Sequence, residues 1–199
     1  SLQLAARRAT NPESRLKLLV EAMTRAQIAE APASKELNQL LNFFVQSVPQ
    51  GEAFSLPLRK KLSELNFLQD EIRVEIEKRL LPLVSNSKST SIAFLAILIS
   101  ENSTLLEKAV KAINEHDHDA LETKIEAAHI LLGKKQHNLA ASIWQSLKER
   151  NPVIRRLSCL DLEIAIAKNS EPEMERILSR ERRTPFSNSP YQLSLCKAL

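Results

Sequence analysis

Residues 119–152 read DALETKIEAAHILLGKKQHNLAASIWQSLKERNP, and this stretch decides the fold of the chain. Asp119, with Glu122 three positions later, is typical of a helix N-cap and its capping box. Apolar residues then recur every three or four positions, which predicts one buried helix face. Gly133 predicts the C-terminal cap, because glycine tolerates the left-handed backbone conformation. A second apolar series follows and ends at Pro152.

The two apolar series predict two helices that lie against each other. The first series is Leu121, Ile125, Ala128 and Leu132, and the second is Leu139, Ala140, Ile143 and Leu147. Each set falls on one side of a helix with about 3.6 residues per turn. Helices joined by about four residues must be antiparallel and share their apolar faces. The stretch therefore predicts an antiparallel helical hairpin.

This hairpin resembles one tetratricopeptide repeat. If Pro152 takes the closing proline of that family, Ala128 and Ala140 fall on the two small positions where paired helices approach closely. Trp144 falls on a large aromatic position, whereas Lys124 stands where the family prefers tryptophan. The resemblance covers this segment and, by spacing alone, its neighbours. It implies a scaffold of repeated hairpins.

Helix starts are predicted near residues 104, 119, 136, 153 and 170, and they are almost evenly spaced. A helix pair thus recurs about every 34 residues, which is the period of tetratricopeptide arrays. The chain has only two glycines, and residues that favour helices are abundant. The predicted fold is all-α, with antiparallel helical hairpins stacked as a short α-solenoid of about nine helices.

Two segments before the hairpin set the predicted domain organisation. Residues 85–91 read SNSKSTS, a composition typical of linkers. They predict an irregular helical N-terminal half at residues 1–85 and a helical-repeat C-terminal half at residues 86–199, with one continuous domain as the alternative. Residues 92–99 read IAFLAILI, which is apolar on every side of a helix and predicts a buried central helix.

The composition excludes several classes of protein. Gly51 and Gly133 are too few and too far apart for a P-loop or a dinucleotide fingerprint. No stretch approaches the ~20 apolar residues that a membrane span needs. Cys159 and Cys196 do not make a disulfide framework, which favours a reducing compartment such as the cytoplasm. The chain begins at Ser1 without an initiator methionine, as a fragment lacking its targeting segment would.

Neither a metal site nor a catalytic site is predicted. The acidic and histidine residues at positions 115–119 are interpreted as a polar loop, because neighbouring residues rarely converge on one ion and no distant further ligand is identifiable. Cys159 lies in a predicted helix with no histidine nearby, and no serine is flanked by glycine. We therefore predict a protein that is not an enzyme and uses no cofactor.

The resemblance implies a non-catalytic helical-repeat scaffold or adaptor. Such a protein binds a peptide or helix of another protein in its concave groove and supports assembly of a complex. The positions that match the family's groove are Glu122 and His129 and, one period later, Arg156 and Glu163. All four are polar residues on otherwise apolar helices.

Two alternatives share this fold and differ in partner. A net charge of +4 and basic patches, one of them Arg59, Lys60 and Lys61, are compatible with nucleic-acid binding. Positive residues alternate with glutamate and aromatic residues are few, which makes nucleic acid the less favoured partner. Self-association through the apolar C-terminal tail, residues 193–199, is the other alternative.

Overall fold

The computed structural model describes residues 2–28, 35–48, 54–86, 89–115, 121–150 and 157–182. These residues form helices joined by short turns and loops, and they contain no strand. Eleven α-helices and one 3₁₀ helix, Ser63–Phe67, occur in these residues. The α-helices are α1 Leu2–Arg8, α2 Pro12–Ile28, α3 Lys35–Gln46, α4 Leu56–Leu62, α5 Asp70–Asn86, α6 Thr90–Ile99, α7 Ser103–Glu115, α8 Leu121–Gly133, α9 His137–Arg150, α10 Leu157–Ala167 and α11 Glu171–Arg182. The all-α prediction is confirmed. These α-helices are more than the predicted nine, and the short helix α1 is among them.

Side-chain caps begin several of these helices. Asn11 followed by Pro12 is a sequence pair that predicts a helix start. The structure confirms it, because Asn11 Oδ1 accepts a hydrogen bond from the Glu13 amide at 2.8 Å. Asn102 Oδ1 accepts from the Leu105 amide at 3.2 Å, so α7 is capped by Asn102 and not by the predicted Thr104. In both cases the cap satisfies an amide that has no partner inside the helix.

The start of α4 is also tied to α2. The Ser55 amide and hydroxyl donate to the two carboxylate oxygens of Glu13, at 3.0 and 2.7 Å. The Ser55 hydroxyl bond is the main cause that lowers the pKa of Glu13 from its ordinary value. Since Ser55 is the N-cap of α4, this single carboxylate fixes the end of one helix against another.

Contacts between Cα positions divide the chain into two compact units, Ser1–Asp119 and Ala120–Leu199. The first unit, called unit 1, is organised around α6, in which every residue is at most 5% exposed. Helices α5 and α7 and the 3₁₀ helix all pack on α6. This arrangement confirms the predicted burial of residues 92–99, because a helix that is apolar all round must be covered all round.

The division between the units falls between Asp119 and Ala120, and the serine-rich segment near residue 85 lies within the range of unit 1. The reason lies in the packing of α6 and α7, which follow that segment. Both helices pack against α5, which precedes it, so the serine-rich segment joins helices of one unit. Ser89 from the same segment is the N-cap of α6 and is itself buried.

The second unit, called unit 2, contains α8 to α11. Helices α8 and α9 pack on each other, and α10 packs on α8, α9 and α11. Buried side chains from α10 and α11 form a cluster with partly buried neighbours, namely Leu162, Ala165, Ile177, Ile166, Met174 and Leu178. Ala128 and Ala140, the two small residues noted in the sequence, are both fully buried. A small side chain allows two helices to approach closely at such a position.

The caps that end α8 and α10 have the same form. Lys135 and Asn169 have φ angles of 60° and 53°, in the left-handed region. The amides that follow donate back in the pattern of a Schellman motif, Gln136 to the Leu131 carbonyl and Ser170 to the Ala165 carbonyl. The left-handed residue after α8 is therefore Lys135, and the prediction that Gly133 takes this position is wrong.

Two substitutions test whether Gly133 or Lys135 takes the left-handed position after α8. Gly133 is the last residue of α8, and a Cβ added there meets nothing within 4 Å. We expect Gly133→Ala to raise the free energy of unfolding by roughly 0.5 to 1 kcal/mol, because alanine loses less backbone entropy than glycine. Lys135→Gly should stabilise by a similar amount, since glycine relieves the left-handed strain. Urea unfolding measures both, and a destabilised Gly133→Ala variant would return the cap to Gly133.

Candidate functional site

The candidate site is a polar pair that joins α8 to α10. His129 Nδ1 lies 2.9 Å from Glu163 Oε2, with the two side chains 46% and 35% exposed. Both side chains are accessible to solvent, although the helices that carry them are largely apolar. Two of the four residues predicted to line a groove, one from each of the two helices, are thus brought together.

The other two predicted residues have different outcomes. Glu122 is exposed on α8, two turns before His129 and on the same face of that helix. Glu126 lies between them on this face and is half-buried. Arg156 lies outside the described residues, so its place in the site stays a prediction. The described part of the site carries three carboxylates and one imidazole, and we call it the α8/α10 face.

The electrostatics of this face favour a protonated histidine. The hydrogen bond to Glu163 is the main cause that raises the pKa of His129 above its ordinary value of 6.5, and partial burial opposes it. The negative charges of Glu163 and Glu126 raise the pKa further. A histidinium and a carboxylate form a charge-assisted hydrogen bond, and this bond fixes the orientation of both side chains.

This pair predicts a pH dependence of stability. Because the pKa of His129 is raised in the folded chain, the folded chain binds the proton more tightly than the unfolded chain. The resulting stabilisation is complete below the ordinary pKa of 6.5 and is lost as pH rises through the higher folded pKa. We expect a loss of roughly 0.2 to 1 kcal/mol between about pH 6 and pH 8, the range for exposed pairs.

Urea unfolding at several pH values measures this loss, and the His129→Gln variant isolates it from the other histidines. The difference between parent and variant should shrink as pH rises. A difference that stays constant with pH would show that the pair does not titrate in this range.

A second polar group in unit 2 is buried. The Trp144 Nε1–H donates to Asp161 Oδ1, and the Lys148 ammonium lies 3.1 Å from the same oxygen. Lys148 Nζ also lies 5.0 Å from the centroid of the Trp144 ring. Trp144 and Asp161 are only 3% and 7% exposed, so the bond joins α9 to α10 inside the unit. Its role is packing, as predicted for Trp144.

Sequence reasoning missed Asp161. The signal was present, because Asp161 is a charged residue between Leu160 and Leu162 in an otherwise apolar stretch. A carboxylate at such a position needs a buried donor, and a tryptophan on the preceding helix supplies one. The spacing of 17 residues between the partners gives no local pattern from which to recognise the pair.

The remaining predicted features give a mixed result. Residues 116–119 of the polar loop lie outside the described residues, as do the C-terminal tail and the side chain of Cys159. Among described side chains, no group of three or more His, Cys, Asp or Glu residues is placed to hold a metal ion. In the basic patch of α4, Lys60 is exposed, whereas Lys61 pairs with Glu64 at 2.7 Å. The arginine side chains at positions 155, 156, 180, 182 and 183 are also outside the described part.

Comparisons with family models, with curated proteins and with solved structures find no match to this chain. Among the described helices, none has both the length and the hydropathy needed to cross a membrane. In the part of the chain that the structure describes, this is therefore an all-helical protein of two compact units with a polar face on α8 and α10.

Proposed function

We propose that this protein is a non-catalytic scaffold or adaptor of helical repeats, in which the pairs α8–α9 and α10–α11 are two stacked antiparallel hairpins similar to tetratricopeptide repeats. Its partner is a segment of another protein, held on the α8/α10 face. The observation that carries the proposal is the contact between His129 and Glu163, at 2.9 Å. These residues occupy equivalent positions one period of about 34 residues apart, so stacked repeats would bring them side by side.

The helix caps give independent support for a repeat. Lys135 and Asn169 are also one such period apart, and both take the left-handed conformation. The hydrogen bonds around them repeat residue for residue, including Lys135 to Leu132 and Asn169 to Ile166. Since left-handed caps are common at helix ends, the support comes from the repetition of the whole hydrogen-bond pattern at this spacing and not from the φ angle alone.

The chemistry of the face suggests the kind of partner. Glu122, Glu126 and Glu163 supply negative charge around His129, whose own positive charge is held by Glu163. A partner segment that carries lysine or arginine suits such a face, whereas the phosphate backbone of a nucleic acid does not. The overall positive charge of the chain therefore does not decide the partner of this face.

A peptide-display selection on the purified protein tests the proposal. Selected peptides should be basic, and Glu122→Lys should weaken their binding about tenfold or more by reversing a charge on the face. Glu175→Lys is the matched control, because Glu175 is exposed on α11 and lies outside the face.

Two results would contradict the proposal. If the selected peptides bind the Glu122→Lys and Glu175→Lys variants with equal affinity, the α8/α10 face is not where the peptides bind. Binding of an RNA or DNA oligonucleotide with a steep salt dependence would favour the nucleic-acid alternative.

A further inference from the structure

A cavity of about 530 Å³ that is wide open to solvent lies in unit 1, among residues of α1, α2 and α3. Its lining combines two guanidinium groups, three side-chain amides and one aromatic ring, from Arg7, Arg15, Gln39, Asn42, Phe43 and Gln46. No carboxylate is among these lining residues. Two cationic groups without a lining counter-charge give the cavity a positive potential, which attracts anions.

The helix α3 supplies most of the lining through one of its faces. Gln39, Asn42, Phe43 and Gln46 follow the spacing of a single helix face. The neighbouring residues Leu40, Leu41 and Phe44 are buried in the core of the unit. One face of α3 thus packs the core, while the other presents amides toward the two arginines.

Two contacts hold the side chain of Arg15 in place. Its Nη2 donates to the carbonyl of Ala9, just beyond the end of α1, at 2.8 Å. Its guanidinium carbon lies 5.9 Å from the centroid of the Phe43 ring. The Nε atom is buried and donates to no acceptor in the part of the chain that the structure describes. Because this atom is inaccessible to solvent, a ligand in the cavity can use only the Nη groups of Arg15.

Asn42 is oriented in a way that also leaves donors available. Arg79 Nε donates to Asn42 Oδ1 at 2.8 Å, and Arg79 Nη2 donates to Asn38 Oδ1 at 2.9 Å. Because the guanidinium can only donate, the oxygen of Asn42 must face Arg79. The amide nitrogen of Asn42, with its two N–H donors, therefore points away from Arg79. This ordering lowers the entropy that ligand binding costs.

We propose that this cavity binds a small molecule through an oxyanion group, a carboxylate or a phosphate. Guanidinium groups match the geometry of both anions and bind them through paired hydrogen bonds. The amides of α3 add neutral donors, and the volume lies within the range of about 300 to 1,000 Å³ typical of small-molecule sites. The site lies in unit 1 and is independent of the α8/α10 face.

Calorimetric titration of the full chain with citrate and, separately, with inorganic pyrophosphate tests this site at constant ionic strength. At least one anion should bind with a stoichiometry near one, and the one that binds more tightly identifies a carboxylate or a phosphate ligand. Arg7→Gln should weaken binding about tenfold, and Asn42→Asp should weaken it at least as much. Asn42→Asp keeps the acceptor for Arg79 and places a negative charge at the cavity.

Each variant has a matched control in the same helix. Arg8→Gln makes the same charge change one residue from Arg7, and Arg8 does not line the cavity. Asn38→Asp also keeps an acceptor for Arg79, and Asn38 likewise does not line the cavity. Both controls should bind like the parent. Absence of binding for both anions, or equal weakening in the variants and their controls, would overturn the proposal.

Discussion

Replacement of Trp144 by alanine is expected to lower the free energy of unfolding by about 3 to 5 kcal/mol, the usual cost of removing a buried aromatic side chain. The ring is 3% exposed, so its removal leaves a cavity in unit 2. The variant also removes the indole donor to Asp161 and the ring beside Lys148. Circular dichroism in urea measures the change, because this variant has no tryptophan left to follow by fluorescence.

Trp144→Phe is the matched control for this prediction. Phenylalanine keeps a smaller aromatic ring in the core and has no N–H to donate, so it retains part of the packing while it removes the hydrogen bond to Asp161. We expect it to cost about 1 to 3 kcal/mol, clearly less than alanine. A Trp144→Ala variant that unfolds at the same urea concentration as the parent would contradict the packing of α9 against α10.

Phe94→Ala should destabilise unit 1 by a similar amount, about 3 to 5 kcal/mol. Phe94 is fully buried on α6 and makes an edge-to-face contact with Phe54, with ring centroids 6.2 Å apart. Its loss removes both this contact and much of the volume that α6 contributes to the core. Urea unfolding followed by circular dichroism gives the measurement.

Val74→Ala serves as the comparison within the same unit. Val74 lies on α5 and is 44% exposed, so its truncation should change stability by no more than about 0.5 kcal/mol. Equal effects from Phe94→Ala and Val74→Ala would be inconsistent with a core built around α6.

Local patterns in the sequence predicted most helices well, but the buried face of α8 only in part. Of its predicted series only Ala128 is buried, together with Ala127 and Leu131, whereas Leu121, Ile125 and Leu132 are partly exposed. Residues 92–99 illustrate a local pattern that succeeds: a helix without any polar face can only be stable when it is covered on all sides, so its burial follows from composition alone. Asn11 followed by Pro12 predicted the start of α2 for an equally local reason, since an asparagine side chain caps the amides of the first turn.

Other features depended on contacts between distant residues and were not predicted. The bond between Trp144 and Asp161 joins different helices, and no local rule pairs them. The serine-rich composition of residues 85–91 does not reveal that α6 and α7 pack back on α5. The cap of α8 was assigned to Gly133 from a preference of glycine, whereas the hydrogen bonds place it at Lys135.

The candidate site was partly predictable. His129 and Glu163 were selected because they are polar on apolar helices and one repeat period apart, and the structure brings them into contact. The role of Glu126 in raising the pKa of His129 was not foreseen, since it arises from the charge of a neighbour on the same helix face. Arg156 lies outside the described residues and remains untested.

The buried indole of Trp144 has a practical consequence for observing this protein. It is the only tryptophan in the chain, so intrinsic fluorescence excited at the indole band comes from a single place, the junction of α9 and α10. Circular dichroism, by contrast, averages over every helix of both units. Recording the two signals on one sample during unfolding reveals, without any label, whether the halves of the molecule lose structure together or one after the other.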